Sequence, residues 1–183
     1  MTRLERGFQR HKTADKTGAM EDSLGALLSR EGYSAGFRAE ALAIKPGEKT
    51  DLLFDAAFRL LTDADFRYGR VRLNTAHVLD AIRFMEDILP RVSTEEILSH
   101  VSDAPEIIHK GLDVKKLKAA SLLARMCNGL SLESAGAIWR VYCEVSPLRS
   151  PGYGPGTNQA ANLFMKRIDR RVVDAGHERE LVA

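Results

Sequence analysis

The sequence KKLKAASLLARMCNGLSLESAG, residues 115–136, governs the interpretation of the rest of the chain. It begins with a run rich in Leu and Ala, which predicts a helix with a basic first turn. We expect Gly129 to end this helix with a positive φ, a conformation that glycine adopts without steric cost. We expect Ser131 to cap a second helix, Leu132–Val145, because a serine hydroxyl can accept from the unpaired N–H groups of a first turn.

A connection rich in Pro and Gly, Ser146–Gly156, leads to a third predicted helix, Thr157–Val173. A helix, a glycine turn, a second helix and a final basic helix form the outline of many DNA-binding units. Helical cores that bind nothing have the same outline, so both interpretations remain open. The connection lacks the Gly-Lys-Ser/Thr ending of a phosphate-binding loop and follows no predicted strand, which favours a surface turn.

The length and composition are those of an ordinary globular protein. The chain has 183 residues, of which 44% are hydrophobic and 28% charged, and this length is sufficient to bury a substantial core. No apolar run approaches the roughly 18 residues that cross a bilayer, and the first residues lack the apolar segment of a secretory signal. The two cysteines, Cys127 and Cys143, are interpreted as buried free thiols in a reducing compartment. We therefore expect a cytoplasmic protein with no membrane contact.

Charge is distributed unevenly along the chain. Residues 48–109 carry seven Lys and Arg against twelve Asp and Glu, whereas residues 110–183 carry twelve against seven. A basic C-terminal part beside an acidic middle indicates a polyanionic partner at one end, or two parts that face each other.

The spacing of apolar residues predicts a mainly α-helical chain. Broad apolar faces predict firm helices over Asp51–Leu61 and from Asn74 to Leu89, after a shorter helix over Met20–Arg30. Helices of this length with short connections are typical of a compact multi-helix array. Residues 37–44 and 68–73 alternate weakly, and we leave open that they pair as one short two-stranded hairpin.

We predict one α-helical domain over residues 20–176, with a sub-boundary left open near residue 111. Residues 1–19 are polar and basic, which predicts a flexible arm because such a composition buries too little surface to offset its ordering entropy. Residues 177–183 are predicted to be a tail.

Residues 122–135, LLARMCNGLSLESA, resemble the helix-turn-helix domains of LuxR-type regulators and of sigma factor region 4. In those families a helix ends in a Gly-Leu-Ser or Gly-Met-Ser turn before a scaffold helix and a recognition helix. The resemblance covers residues 112–174 and implies that residues 157–162 begin the recognition helix. It also implies double-stranded DNA as a ligand, with RNA polymerase or a homodimer mate as a partner.

The resemblance implies two kinds of DNA contact. Side chains at the start of the third helix would enter the major groove, where Asn and Gln can pair with adenine edges. Basic side chains further along would neutralise phosphates, which adds affinity without sequence information. The alternative is that the basic residues form a solvated face. The residues implied to contact DNA are Thr157, Asn158, Gln159, Asn162, Lys166, Arg167, Arg170, Arg171 and, on the connection, Arg149.

No catalytic or metal-binding spacing is present in the sequence, so we expect a protein that is not an enzyme and has no cofactor or small-molecule substrate. Our first hypothesis is a small DNA-binding transcriptional regulator or accessory factor. The alternative is a helical protein-interaction or adaptor module. It would use the acidic middle, or the apolar faces of the helices at 51–61 and 75–89, to bind another protein or a second copy.

Overall fold

The structure is a computed structural model, and it describes residues 16–62, 67–68, 71–72, 75–110 and 113–182. Within these residues the protein is mainly α-helical, as the sequence predicts, with ten α-helices and several 3-10 turns. Contacts group the chain into two compact units, residues 1–93 and 94–183. The sub-boundary left open near residue 111 therefore falls inside the second unit. Residues 1–15 of the predicted arm lie outside the described residues, and residues 16–19 begin the first helix.

The first unit is built around one helix with a broad apolar face. Its helices are α1 (Lys16–Glu31), α2 (Ala35–Leu42), α3 (Glu48–Thr62) and α4 (Thr75–Ile88), followed by a 3-10 turn, Leu89–Arg91. Helix α3 contacts both α1 and α4. Most of the apolar residues that predicted α3 and α4 are buried, with Phe54 and Phe58 among the largest of them. These apolar faces are therefore largely used in the core of the first unit.

The corner between α1 and α2 is fixed by two carboxylates of α4. Gly32 closes α1 with a φ of 61°, and its N–H donates to the carbonyl of Leu28 at 2.9 Å. The next N–H, that of Tyr33, donates to Asp80 Oδ2 at 3.0 Å, and the Tyr33 hydroxyl donates to Asp87 Oδ2 at 2.9 Å. Burial and the hydrogen bond to Asp87 raise the pKa of Tyr33, so the phenol remains a donor.

The hairpin pairing between residues 37–44 and 68–73 is wrong, because residues 37–42 lie in helix α2. Ser34 starts this helix, and its hydroxyl accepts from the N–H of Phe37 at 3.3 Å. Phe37 is then buried, with its ring centroid 5.6 Å from that of Phe84. The extended residues pair locally instead, because β1 (Arg67–Tyr68) is antiparallel to β2 (Val71–Arg72).

The second unit contains two helix pairs. Its α-helices are α5 (Thr94–Val101), α6 (Ala104–Lys110), α7 (Asp113–Gly129), α8 (Ala135–Val145), α9 (Pro155–Arg167) and α10 (Arg170–Val182). Helix α9 packs along α7, and α10 packs on α8. The first pair is parallel, since Lys116 near the start of α7 contacts Thr157 near the start of α9, and Asn128 near the end of α7 contacts Arg167 at the end of α9.

Two details of the predicted glycine turn are wrong. Gly129 belongs to α7 and is not among the described glycines with a positive φ. Ser131 is extended, as an N-cap residue is, but its hydroxyl makes no capping bond within the described residues, and its carbonyl accepts from the N–H of Ser134 instead. The second helix accordingly starts with a 3-10 turn, Leu132–Ser134, before α8.

The third predicted helix is two helices. Helix α9 ends at Arg167, because Ile168 is extended with a ψ of 139°, and α10 starts at Arg170. The Pro/Gly connection before α9 forms two 3-10 turns, Ser146–Arg149 and Pro151–Tyr153.

Helix α10 continues through the residues that were predicted to be a tail. Gly176 lies against α8 so closely that an added Cβ would stand 2.2 Å from the carbonyl oxygen of Ala135. Arg179 donates to the carbonyl of Glu133 at 2.9 Å, and Glu180 forms a 3.0 Å ion pair with Arg140. These contacts hold residues 177–182 in the helix.

Candidate nucleic-acid interface

The start of α9 holds the residues that the sequence assigns to base contacts, and the structure separates them. Thr157 is only 2% exposed, so it cannot reach a base edge. Its hydroxyl oxygen accepts from Lys116 Nζ at 2.7 Å and donates to the carbonyl of His109 at 3.4 Å. Thr157 is therefore part of the core between α6, α7 and α9, because a buried hydroxyl requires hydrogen-bond partners.

A hydrogen-bond network joins three of the assigned residues, Asn158, Asn162 and Arg149. The side-chain amide of Asn158 donates to the carbonyl of Arg149, and Arg149 Nε donates to Asn162 Oδ1 at 2.9 Å. Asn162 Nδ2 then donates to the carbonyl of Asn158 at 2.9 Å. This network joins the 3-10 turn Ser146–Arg149 to α9. It occupies the side-chain amides of Asn158 and Asn162, which would otherwise pair with adenine. Gln159 is exposed on the same helix.

A corner between α9 and α10 lies at the other end of α9, and Asn128 of α7 holds it. Asn128 Nδ2 donates to the carbonyl of Arg167 at 2.9 Å, and Asn128 Oδ1 accepts from the N–H of Asp169 at 2.7 Å. One amide side chain thus satisfies the last carbonyl of α9 and a backbone N–H of the break. Asp169 in turn caps α10, since its Oδ1 accepts from the N–H of Arg171 at 2.9 Å.

The four basic residues that the sequence assigns to phosphate contacts surround this corner. All four are exposed, and we call them the basic corner: Lys166, Arg167, Arg170 and Arg171. Lys166 and Arg167 end α9, where the helix dipole favours cations. Arg170 and Arg171 begin α10, where the dipole disfavours them. These residues do not form i, i+4 pairs on one helix, because the helix is broken between them. Their exposure agrees with the solvated-face alternative as well as with phosphate contacts.

One carboxylate lies within the basic corner. Asp169 Oδ2 accepts from Arg171 Nη2 at 2.7 Å. Hydrogen bonds from the Arg171 side chain and backbone lower the pKa of Asp169, and Asp169 raises the pKa of Arg171. Arg171 is thus partly neutralised, whereas no ion pair of Lys166 or Arg170 is seen within the described residues.

Arg167 is oriented by a residue that the sequence interpretation missed. Its guanidinium donates to the hydroxyl of Ser121, which lies on α7 and is buried. The spacing of Ser121 and Asn128, seven residues apart on one helix face, could have indicated that both face the same neighbour. Sequence alone does not tell which neighbour that is.

Two buried lysines lie at the start of α7. Lys116 bonds to Thr157, as described above, and Lys115 beside it is also buried. Burial lowers the pKa of Lys115 to about 8, since the low-dielectric interior disfavours the charged form. These lysines were predicted to form a basic first turn, and they belong to the interior instead.

Comparison of the chain with protein-family models, with curated proteins and with solved structures found no match. In the part of the chain that the structure describes, none of the helices has both the length and the apolar character needed to span a membrane.

Proposed function

We propose that this protein is a small DNA-binding regulator or accessory factor that contacts the phosphates of DNA through the basic corner. The observation that carries the proposal is the exposed cluster of Lys166, Arg167, Arg170 and Arg171 around one helix break. Like charges at such short separations repel one another, and phosphate contacts relieve this repulsion and release counterions.

The hydrogen bonds that hold the corner support the same proposal. Asn128 bonds to both sides of the break, and Ser121 orients Arg167. A site that is held in place before binding loses less side-chain and backbone entropy when the ligand arrives. Four unrelated lysines or arginines on a mobile segment would not have this advantage.

The helix-turn-helix resemblance implies that α9 is the helix presented to the groove. Its exposed side includes Gln159 and Lys166, two turns apart, and Gln159 has an amide that can pair with an adenine edge. Because Thr157 is buried and Asn158 and Asn162 are bonded internally, we assign most of the affinity to phosphates and only limited base recognition to this helix. RNA polymerase or a second copy of the chain are the partners that the resemblance implies.

The test is fluorescence anisotropy of a short labelled DNA duplex, titrated with the protein at several salt concentrations. We expect binding that weakens with salt, with a slope in log Kd against log salt of about 0.9 for each phosphate contacted. In a variant with all four corner residues changed to Gln, the slope of log Kd against log salt should be smaller by about 3–4. Gln keeps much of the aliphatic stem, so folding should persist, and circular dichroism checks this.

A matched control removes the same charge from the first unit. Arg30, Arg59 and Arg83 are exposed and lie in exposed ion pairs on their own helices, and Lys45 is also exposed. Changing these four to Gln lowers the net charge equally and should leave the affinity within about twofold, because none of them belongs to the basic corner. Equal losses in the two variants would contradict a local site. Absence of duplex binding by the folded protein at low salt would overturn the proposal and favour the acidic residues 48–109 as a protein-binding surface.

A further inference from the structure

A stripe on helix α7 lies beside the basic corner. The positions 118, 121, 125 and 128 are spaced by three, four and three residues, so they lie on one side of the helix. Ser121 and Asn128 contact Arg167 and Asp169 directly. The other two positions of the stripe are Lys118 and Arg125, which lie on the same side, and both are exposed.

We infer that Lys118 and Arg125 extend the basic corner into a two-row surface that binds the phosphates of a double-stranded nucleic acid. This inference rests on the proposed function and adds residues that the sequence analysis did not assign. The first row is the basic corner, at the end of α9 and the start of α10. The second row lies on α7, on the flank that contacts the corner.

The dimensions of the two rows suit a duplex. Seven residues separate Lys118 from Arg125, which is about 10 Å along the helix at 1.5 Å per residue. Packed helices lie about 8–10 Å apart, so the second row is displaced from the first by about that distance. A duplex presents two lines of phosphates across a groove about 6–12 Å wide, whereas a single strand presents one line.

Carboxylates are absent from most of α7 and from all of α9. This favours a ligand that carries only negative charge, such as a nucleic acid, over a protein segment that carries both signs of charge. From Lys115 to Gly129, and throughout Pro155–Arg167, the sequence contains no Asp or Glu. Within these two stretches every charged residue is therefore basic. Asp169 is the one acidic residue at the corner break itself, and it is bonded to Arg171.

The experiment compares a labelled DNA duplex with a single strand of the same sequence, again by anisotropy across a salt series. With six cations engaged, the wild-type slope for the duplex should be about 5, against about 3–4 for the corner alone. The variant Lys118→Gln/Arg125→Gln should lower the duplex slope by about 2 and weaken duplex binding at least tenfold. Single-strand binding should change by less.

The control variant is Lys110→Gln/Arg140→Gln, in the same unit. Both side chains are exposed cations that belong neither to the stripe on α7 nor to the basic corner. We expect it to bind duplex almost as the wild type does, and thermal unfolding should show that both double variants are folded.

The outcomes separate this inference from the proposed function. If the corner variant loses duplex binding while Lys118→Gln/Arg125→Gln keeps the wild-type affinity and slope, the second row is wrong and the proposed function stands. Equal losses for duplex and single strand would overturn the assignment of a duplex. No binding by the wild-type protein at low salt would overturn both.

Discussion

At Gly176, helices α8 and α10 of the second unit approach each other closely. A Cβ at this position would lie 2.2 Å from the carbonyl oxygen of Ala135 and 2.7 Å from Cβ of Trp139. The first of these atoms belongs to the backbone of α8 and cannot rotate away. The aromatic rings of Trp139 and His177, with centroids 4.5 Å apart, pack beside this crossing.

We expect Gly176→Ala to destabilise the protein by about 1–3 kcal/mol, the usual cost of overpacking, because α10 must move away from α8. Urea unfolding followed by circular dichroism measures the change. The matched control is Gly129→Ala, where an added Cβ meets nothing within 4 Å. This control should be neutral or stabilise by about 0.5–1 kcal/mol, because Ala is the better residue in a helix. A clearly destabilised Gly129→Ala would instead support the positive φ that the sequence predicted.

Lys115 gives the second unit a pH-dependent stability. Its pKa is lowered from 10.5 to about 8 by burial. Between these two values the folded protein releases the proton and the unfolded chain retains it. The unfolded state then binds more protons, so the free energy of unfolding rises with pH through this window.

The variant Lys115→Met removes the buried charge and keeps an apolar stem of similar length. We expect the free energy of unfolding of the variant, relative to that of the wild type, to be higher at pH 7 than at pH 9.5 by about 1 kcal/mol. The difference should shrink as the pH approaches 10, because the wild-type lysine is then neutral when folded. Urea titrations at pH 7 and pH 9.5 test this, with Lys118→Met as the exposed control. A difference that grows with pH would contradict the assignment.

At the scale of elements, the break between α9 and α10 is the feature that arranges the candidate interface. A continuous helix would place Lys166 and Arg170 one turn apart on a straight face. The extended Ile168 instead ends α9, and Asn128 supplies hydrogen bonds to both sides of the break. The cost of interrupting the helix is reduced because its freed backbone groups are satisfied by this side chain.

Asp169 links the stability of α10 to the charge of the corner. We expect Asp169→Asn to raise the affinity for duplex DNA several-fold at low salt, because it removes the carboxylate that pairs with Arg171 while an acceptor for the capping bond remains. The measurement is the same anisotropy titration. Asp103→Asn removes an equal charge at the exposed connection between α5 and α6 and should change little. Weaker binding by Asp169→Asn would contradict this expectation. It would mean that Asp169 is required to position Arg171 for the phosphate contact.

At the scale of the whole molecule, the two cysteines report on folding. Cys127 is buried in the second unit, and burial raises its pKa to about 12. Cys143 was predicted to be buried but is exposed, because Ile138, Val141 and Val145 form the buried side of α8. Two thiols in one unit therefore differ in access and in reactivity.

We expect a thiol reagent to modify one cysteine of the folded protein, Cys143, and to modify Cys127 only when the second unit opens. Intact-mass measurement during a short exposure should show one adduct in native buffer and two in denaturant. The variant Cys143→Ser should give no fast adduct. Two fast adducts in native buffer would contradict the packing around α7.

Helical periodicity was sufficient to predict the mainly helical class and several of the helices. The helices α3 and α4 follow from apolar residues that recur at helical spacing, and their burial needs no long-range information. Residues 37–42 were missed because their apolar pattern is weak. In the structure Ser34 caps the helix, and Phe37 packs in the core beside Phe84. Local propensity is a weak guide where one buried contact determines the conformation.

The exposure of the residues assigned to DNA contacts was predicted in part, and the exceptions have physical reasons. The exposed positions of Lys166, Arg167, Arg170 and Arg171 agree with the sequence assignment to a surface. Thr157 was assigned to DNA and lies in the core, since Lys116 and His109 supply partners that make its burial favourable. Sequence spacing gives the side of a helix on which a residue lies but not the neighbour that covers it.

The sequence by itself determined the mainly helical class, the positions of the principal apolar faces and the concentration of positive charge after residue 110, because these depend on local spacing and composition. Only the tertiary structure decided where α9 ends, which cations surround its end and which polar side chains are buried. Those features depend on Asn128 and Ser121 of α7, about forty residues earlier in the chain, whose hydrogen bonds form only when the two helices are packed side by side.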